Sequence, residues 1–409
     1  MTSSSGSGQS ARLVIVSVFL LAAAGVATFA LMRDRGEHSD QGGGGAAEPR
    51  SGNGDEPAGD RLTIDLLYST EKKAWLEESV MAFEKAHPDI HVNLVGKGSL
   101  DAVREILDGQ ARPTVWSPAD DVALRLLAND WYQKERKHLF ADSGDDAPQP
   151  LVLTPLVFVA WQERGDVLTA KDTQPLHWKR LHTVLASDQG WSAVGGSREW
   201  GLVRLGHTDP TKSNSGLQAL LLMAYEYHGR TSNLEVANVV DPGFQGFVKA
   251  IEDSVPKFGT STGTFMEEMI LFGPSKYDVV VSYENLAIEQ IPNAQGRWGN
   301  LHIYYPQHTM WSSHPAALLD APWVTGEQKQ AGRKLIEFLR AAEAQRRALR
   351  YGFRPSDPSV PILGEQADNP FAAARAYGVR TDLPGAVEPP PGPVISNLME
   401  MWSRQIGRR

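Results

Sequence analysis

The sequence predicts an α/β fold in which a mainly parallel sheet is flanked by helices. Three strand–loop–helix units follow one another between residues 61 and 127, and such alternation builds a parallel sheet. Hydrophobic residues make up 41% and charged residues 22% of the chain, which is ordinary for a globular protein. The 409 residues are enough for roughly two or three domains.

The alternation of apolar and polar residues places strands at 62–67, 90–95 and 113–116, and helices at 71–86, 100–108 and 117–127. Hydroxyl side chains follow all three strands: Ser69, Thr70, Ser99 and Ser117. Ligands of such sheets bind beyond the carboxyl ends of the strands. A single hydroxyl at such a position more commonly caps the next helix. With hydroxyls after three consecutive strands, ligand binding is an equally good interpretation.

The stretch from Gly201 to Tyr227 combines a short apolar run, a polar loop and a long helical pattern. The loop, residues 207–216, reads HTDPTKSNSG. The free N–H groups and the dipole at a helix start favour a negatively charged or oxygen-rich ligand. The candidate ligand-binding residues here are Thr208, Ser213, Asn214 and Ser215. The alternative is that one of the last three simply caps the helix.

This strand, the loop and the Ala/Leu-rich helix resemble the type II periplasmic solute-binding proteins of ABC transporters, near the molybdate and sulfate binders. Two later stretches are similar to an uncharacterised branch often met beside or fused to von Willebrand A domains. They read LHIYYPQHTMWSSHPAALL at 301–319 and RYGFRP at 350–355. The Asp-x-Ser-x-Ser metal motif of a von Willebrand A domain does not occur in this sequence.

The resemblance implies two α/β lobes, each a mostly parallel sheet flanked by helices, around a ligand cleft. Lobe 1 would comprise residues 61–155 and 305–409, and lobe 2 residues 156–304. The run LVLTPLVFVAW at 151–161 would be the first crossover strand, and 301–319 the return. Further helices are expected at 178–186, 244–255, 265–272, 326–348 and 394–406, with a strand at 277–282.

Two more candidates come from the predicted lobe 2. Ser261 lies in a hydroxyl-rich turn before a helix. In the family, a Tyr or an acid directly after the next strand commonly contacts the ligand, and Tyr283 and Glu284 stand at that point of this sequence. Arg354 would either reach an anion at the cleft or hold a carboxylate. We predict ligand binding by residues from both lobes: Ser69, Thr70, Ser99, Ser117, Thr208, Ser213, Asn214, Ser215, Ser261 and Tyr283.

Residues 13–32 form an uninterrupted stretch of apolar and small residues that is long enough to span a bilayer. It would be a retained single-pass anchor or a cleavable signal peptide. We favour the anchor because the apolar run continues past the small-residue site Ala22-Ala23-Ala24. Residues 1–12 would be the tail before it, and residues 33–60, rich in Gly and acids, a flexible linker. The resemblance places the folded part outside the cytoplasm, in the periplasm or at the cell surface.

The composition excludes several kinds of chemistry. The chain has no Cys, which excludes disulfides, Cys-ligated metals and a thiol nucleophile. The net charge is −9 and there is no basic stripe, so we expect no nucleic-acid partner. We also expect no metal, no cofactor and no enzymatic activity. The Gly-x-Ser-x-Gly match at 259–263 lacks the preceding strand that a hydrolase needs.

These features predict a membrane-tethered, extracytoplasmic solute-binding protein. It would capture a small polar solute in the cleft and present it to an ABC permease or another membrane protein. Neutral donors at helix ends favour an oxyanion. If Asp209 and Glu284 faced the cleft, a neutral solute such as a sugar, or a cation, would be favoured instead. The alternative function is a membrane-tethered sensing or scaffolding module with the same fold and no transport role.

Overall fold

The computed structural model describes residues 61–171, 174–364, 368–383 and 385–407. The predicted tail, anchor or signal segment and linker, at 1–12, 13–32 and 33–60, lie outside the described residues. Within the described ranges, no helix is both long enough and apolar enough to cross a bilayer.

The strands that the structure describes are short except for β1, β2 and β5. They are β1 Leu62–Tyr68, β2 Ile90–Gly96, β3 Val115–Ser117, β4 Gln149–Pro150, β5 Val152–Trp161, β6 Leu205–Gly206, β7 Val279–Tyr283, β8 Leu301–Tyr304, β9 His308–Thr309, β10 Trp311–Ser312, β11 Pro315–Leu318, β12 Arg354–Pro355 and β13 Gly385–Ala386.

Helices separate most of these strands. They are α1 Lys73–Ala86, α2 Ser99–Leu107, α3 Asp121–Glu135, α4 Gln162–Leu168, α5 Trp178–Leu185, α6 Asn214–His228, α7 Val236–Val239, α8 Pro242–Glu252, α9 Thr262–Phe272, α10 Glu284–Ala294, α11 Gly326–Arg340, α12 Ala342–Leu349, α13 Pro370–Ala374 and α14 Gly392–Gln405. Short 3₁₀ turns occur at Thr70–Lys72, Gly190–Val194, Arg198–Trp200, Gly273–Ser275 and Arg375–Tyr377.

The first sheet has the order β2-β1-β3-β11-β4. Strands β2, β1 and β3 are parallel, as the three sequence units predict, with Leu66 opposite both Leu94 and Val115. Strand β11 runs antiparallel to β3 and β4. Helix α1 covers one face of this sheet with the buried side chains of Trp75 and Phe83. The parallel arrangement brings the carboxyl ends of β1, β2 and β3 to one edge.

The second sheet has the order β10-β5-β7-β6, and β8 and β12 also pair with β5. Strand β5 is antiparallel to both β7 and β8, and only β6 and β7 are parallel. The prediction of a mostly parallel sheet is therefore wrong here. The reason is topological. The chain enters this sheet along β5 and leaves it along the neighbouring β8, so the two strands must run in opposite directions.

Strand β5 connects the two parts of the fold. Its residues 152–155 pair with β12 and β10, whereas residues 156–161 pair with β7 and β8. Every residue of the strand is buried except Leu153, which is half-buried. The lobe boundaries at 155 and 305 stay a prediction, because helix α14, assigned to lobe 1, contacts α3, α6 and α7.

Three predicted elements differ from the structure. Helix α3 begins at Asp121 rather than 117, because the Asp120 side chain caps it by accepting from the N–H groups of Val122 and Ala123. The apolar run before the central loop forms only the two-residue β6, and Leu202 is exposed. The helix predicted at 326–348 is two helices, because Ala341 adopts an extended conformation.

Candidate functional site

A cavity of about 510 Å³ lies where the carboxyl ends of the strands meet the polar loops. Seven of the ten predicted residues line it: Ser69, Thr70, Ser99, Ser213, Asn214, Ser261 and Tyr283. They lie in or next to β1, α2, α6, α9 and β7, and therefore come from the surroundings of both sheets. The fold thus gathers distant segments of the chain around one space, as expected for parallel strands and the helices after them.

Several helix starts face this cavity without a side-chain cap. Helices α2, α6, α9 and α10 begin after Gly98, Ser213, Ser261 and Tyr283, and none of these residues forms a side-chain cap hydrogen bond. Some helices elsewhere carry one, such as α11 with Thr325, and others, such as α14, do not. The capping interpretation of Ser213 is therefore not seen. The first N–H groups of α2, α6 and α9 remain available to a ligand, whereas in α10 the Asn285 N–H already donates to Thr154 Oγ1 at 3.2 Å. Each helix start carries roughly half a positive charge.

Two hydroxyls at the cavity, those of Ser69 and Ser99, each accept a hydrogen bond from the protein. The Ser69 Oγ accepts a hydrogen bond from the buried ammonium of Lys72. The Ser99 Oγ accepts one from the backbone N–H of Ala119 at 2.9 Å. Since each oxygen already accepts, its own hydrogen is free to donate towards a ligand.

Lys72 is a residue that the sequence analysis missed. Its side chain is fully buried, and its ammonium lies 3.0 Å from Ser117 O, 3.1 Å from Pro118 O and 3.2 Å from His314 Nδ1. Burial lowers the pKa of Lys72 to about 8. The sequence does contain a signal for it: Lys72 is a charged residue on the same inward helix face as Leu76, Ser79 and Phe83, where an apolar residue is expected.

Three predicted ligand residues do not line the cavity. Ser117 is buried, and its Oγ donates to His314 O at 3.4 Å. Thr208 and Ser215 are also buried, and their hydroxyls bond each other at 2.8 Å. Ser215 further bonds Thr262 Oγ1 at 2.7 Å. The hydroxyls of Thr208 and Ser215 thus pair with each other instead of lining the cavity, because a buried hydroxyl without a hydrogen-bond partner is costly.

A buried network of polar side chains, centred on Asp120 and Gln218, joins the two parts of the fold. Gln218 Nε2 donates to Asp120 Oδ2 at 2.5 Å and to Ser312 Oγ at 2.9 Å. Asn214 Nδ2 donates to the hydroxyl of Tyr283 at 3.0 Å. Burial raises the pKa of Asp120 to about 6 and holds the pKa of Tyr283 well above its usual range. Tyr283 is thus neutral and buried, and it presents its phenol to the cavity rather than a charge.

Asp209 and Glu284, the two acids that would disfavour an anionic ligand at the cleft, interact with other residues of the protein. Glu284 forms a bidentate ion pair with Arg354, at 2.6 and 2.7 Å, and both side chains are buried. Of the two roles expected for Arg354, holding a carboxylate is therefore the one observed. Asp209 accepts from the N–H and hydroxyl of Thr211 within its own loop. Neither acid lines the cavity.

Other charged side chains that the sequence analysis did not select do line the cavity. Five are acidic and two are basic: Glu71, Glu77, Asp101, Glu267, Glu289, Lys73 and Lys212. Most of them lie on the first turns of helices or one to two turns further along, where periodicity indicates only a solvated face. Among the described residues, no group of three or more His, Asp or Glu side chains is placed to hold a metal ion.

Residues 64–354 match the model of a family described as bacterial extracellular solute-binding proteins. The chain belongs to this family. The resemblance inferred from the sequence is therefore confirmed, and this solute-binding protein has the two-lobed α/β fold that the resemblance implied. A search of curated proteins finds no match.

Solved structures of the same fold come from proteins with different ligands. The sulfate-binding protein SubI from Mycobacterium tuberculosis H37Rv is 16% identical, with a TM-score of 0.53 over 85% of this chain and 99% of that chain. A periplasmic thiamin binding protein is 16% identical, with a TM-score of 0.57 over 88% and 99%. The ferric binding protein from Campylobacter jejuni is 11% identical, with a TM-score of 0.57 over 84% and 98%. At these identities the likeness shows the fold alone.

Proposed function

We propose that this solute-binding protein captures a small polar solute in the cavity and that an oxyanion group of the solute binds at the helix starts. The observation that carries the proposal is the meeting of three helix starts without side-chain caps, those of α2, α6 and α9, around one space. Their free N–H groups and dipoles favour an anionic group. The donor hydroxyls of Ser69 and Ser99 support the same choice.

Binding would be coupled to closure of the cleft. The cavity is lined from both sheets, so a solute that contacts Ser69 and Ser261 together is fully satisfied only when the two lobes approach each other. A ligand that prefers one of two conformations shifts the population towards it. We propose that an ABC permease recognises the closed form, and that the segment at 13–32 tethers the protein to the membrane. A permease gene beside this one would support the transport role.

A thermal-shift panel on the full-length chain tests the binding function. The panel contains oxyanions, sugars, amino acids and divalent metals. A ligand at about 100 times its dissociation constant stabilises the folded state by roughly 2.7 kcal/mol. We expect at least one compound class to raise the melting temperature by a few degrees.

The matched variant Ser69→Ala/Ser261→Ala tests the site. It should weaken the binding of that compound strongly, because two donors are lost, and lower the stability of the empty protein by only about 1–3 kcal/mol, because the Lys72 ammonium loses the Ser69 oxygen. Ser403→Ala is the control, since its hydroxyl only bonds Met399 O on helix α14. A panel without any shift would contradict the binding function. A compound that binds the double variant as tightly as the wild type would contradict the site.

A further inference from the structure

One end of the cavity offers donors to a ligand. The Lys72 ammonium and the Ala119 N–H occupy the oxygens of Ser69 and Ser99, so both hydroxyls donate into the cavity. The free N–H groups of α2, α6 and α9 add to this set. A ligand group that satisfies these donors consists of acceptor oxygens and is best satisfied by a negative charge.

Other polar groups at the cavity are hydrogen-bond acceptors and need a donor from the ligand. Asn214 is 5% exposed and lines the cavity, and its Oδ1 has no hydrogen-bond partner. Glu71 also lines the cavity with a side chain that is 10% exposed, and its Oε1 has no hydrogen-bond partner. His314 lies 3.5 Å from this oxygen, but burial and the Lys72 charge hold the pKa of His314 well below its usual range. The neutral imidazole does not neutralise Glu71. The charge of Glu71 interacts with the buried Lys72 ammonium instead and counteracts part of the effect of burial on the Lys72 pKa. Glu71 Oε1 and Asn214 Oδ1 nevertheless lack a hydrogen-bond donor, which a ligand can supply.

The wall formed by α9 and α10 extends this acidic character. Glu267 and Glu289 line the cavity from these two packed helices. Both residues are exposed, and surrounding protein atoms together with the Glu267 charge raise the pKa of Glu289. The two lysines at the cavity are already paired, Lys73 with Glu77 at 3.8 Å and Lys212 with Asp209 at 3.6 Å.

A bare oxyanion would satisfy the donors but would face the carboxylates of Glu267 and Glu289. We propose that the solute is zwitterionic, with an oxyanion group at the helix starts and an ammonium group facing Glu71, Glu267 and Glu289. The inference rests on the proposed binding function and names the solute class of the same site. The cavity of about 510 Å³ has room for both groups on one small molecule.

Calorimetric titration of the full-length chain with matched pairs tests the class. Each zwitterion is compared with the anion that lacks its ammonium: glycine with acetate, taurine with ethanesulfonate, and 2-aminoethylphosphonate with ethylphosphonate. Ethylamine, sulfate and glucose complete the set. We expect at least one zwitterion to bind about tenfold or more tightly than its anionic partner, because close opposite charges couple at least this strongly. Ethylamine alone should bind far more weakly.

The variant Glu267→Gln/Glu289→Gln should remove most of that preference, with the affinity for the anionic partner unchanged or raised because two negative charges are lost. Glu343→Gln, an exposed carboxylate on α12, is the control and should keep the preference. If sulfate, ethylphosphonate or glucose binds and no zwitterion exceeds its anion, the inference fails while the binding function stands. If the double Gln variant retains the full preference, the assignment of the ammonium to this wall is wrong. Absence of binding by every compound here and in the wider panel would count against the binding function itself.

Discussion

Asp120 should make the stability of this protein depend on pH in a direction opposite to that of most carboxylates. It is fully buried, and its carboxylate caps α3 and accepts from Gln218. Burial raises its pKa from 3.8 to about 6. One pH unit corresponds to about 1.36 kcal/mol, so ionising Asp120 costs about 3 kcal/mol more in the folded state than in the unfolded chain.

The sign follows from the raised pKa. The stability that neutral Asp120 contributes is fully present below pH 3.8 and is lost as the pH rises through about 6. Asp120→Asn removes this titration but keeps an oxygen that can accept from Val122 N and Ala123 N. Its new amide can donate to Gln218 Oε1, which has no partner in the wild type, if the Gln218 amide rotates.

Urea unfolding of both proteins, followed by Trp fluorescence at pH 4, 5, 6 and 7, measures the effect. The free energy of unfolding of the wild type relative to Asp120→Asn should fall by about 2 kcal/mol between pH 4 and pH 7, most of the full difference of about 3 kcal/mol. Other groups titrate in both proteins and cancel in the difference. Asp241→Asn, which changes a half-buried cap of α8, is the control for the loss of a helix cap. A difference between the wild type and Asp120→Asn that changes by less than about 0.5 kcal/mol over this range would refute the reasoning.

Three further changes test the packing around the site. Arg354→Met leaves Glu284 buried without its bidentate partner and should destabilise the fold by about 3–5 kcal/mol, with partial recovery in Arg354→Met/Glu284→Gln. Thermal unfolding measures both, and a loss below about 1 kcal/mol would contradict the pair's role. Gly216→Ala places a Cβ 2.1 Å from Thr208 O and should cost about 1–3 kcal/mol, whereas Gly246→Ala meets no atom within 4 Å and should gain up to about 1 kcal/mol. Equal melting temperatures for these two variants would speak against the close approach. Ser215→Ala should lower stability by about 1–2 kcal/mol, because Thr208 and Thr262 lose a buried partner, while Ser261→Ala should lower ligand affinity with little loss of stability. Paired unfolding and binding measurements separate the two, and the reverse pattern would exchange their roles.

Elements whose signals are local could be read from the order of the amino acids alone. The alternation of strands and helices from β1 to α3, the long strand β5 and helix α6 were all readable, because side chains repeat every two residues in a strand and every 3.6 in a helix. The hydroxyls after β1 and before α2, α6 and α9 were readable for the same reason. Parallel strands bring their carboxyl ends together, and seven of the ten predicted residues line one cavity.

Which of these groups face the cavity and which satisfy one another depends on the tertiary structure. Thr208 and Ser215 have the same chemistry as Ser213, yet they bond each other behind the wall. Lys72 and Asp120 acquired their roles from the Ser117 carbonyl and Gln218, which folding brings against them. Periodicity reports how a residue faces its own helix or strand, whereas burial, hydrogen bonding and charge depend on neighbours brought together by folding. The antiparallel second sheet and the acidic wall of α9 and α10 were hidden from the sequence for this reason.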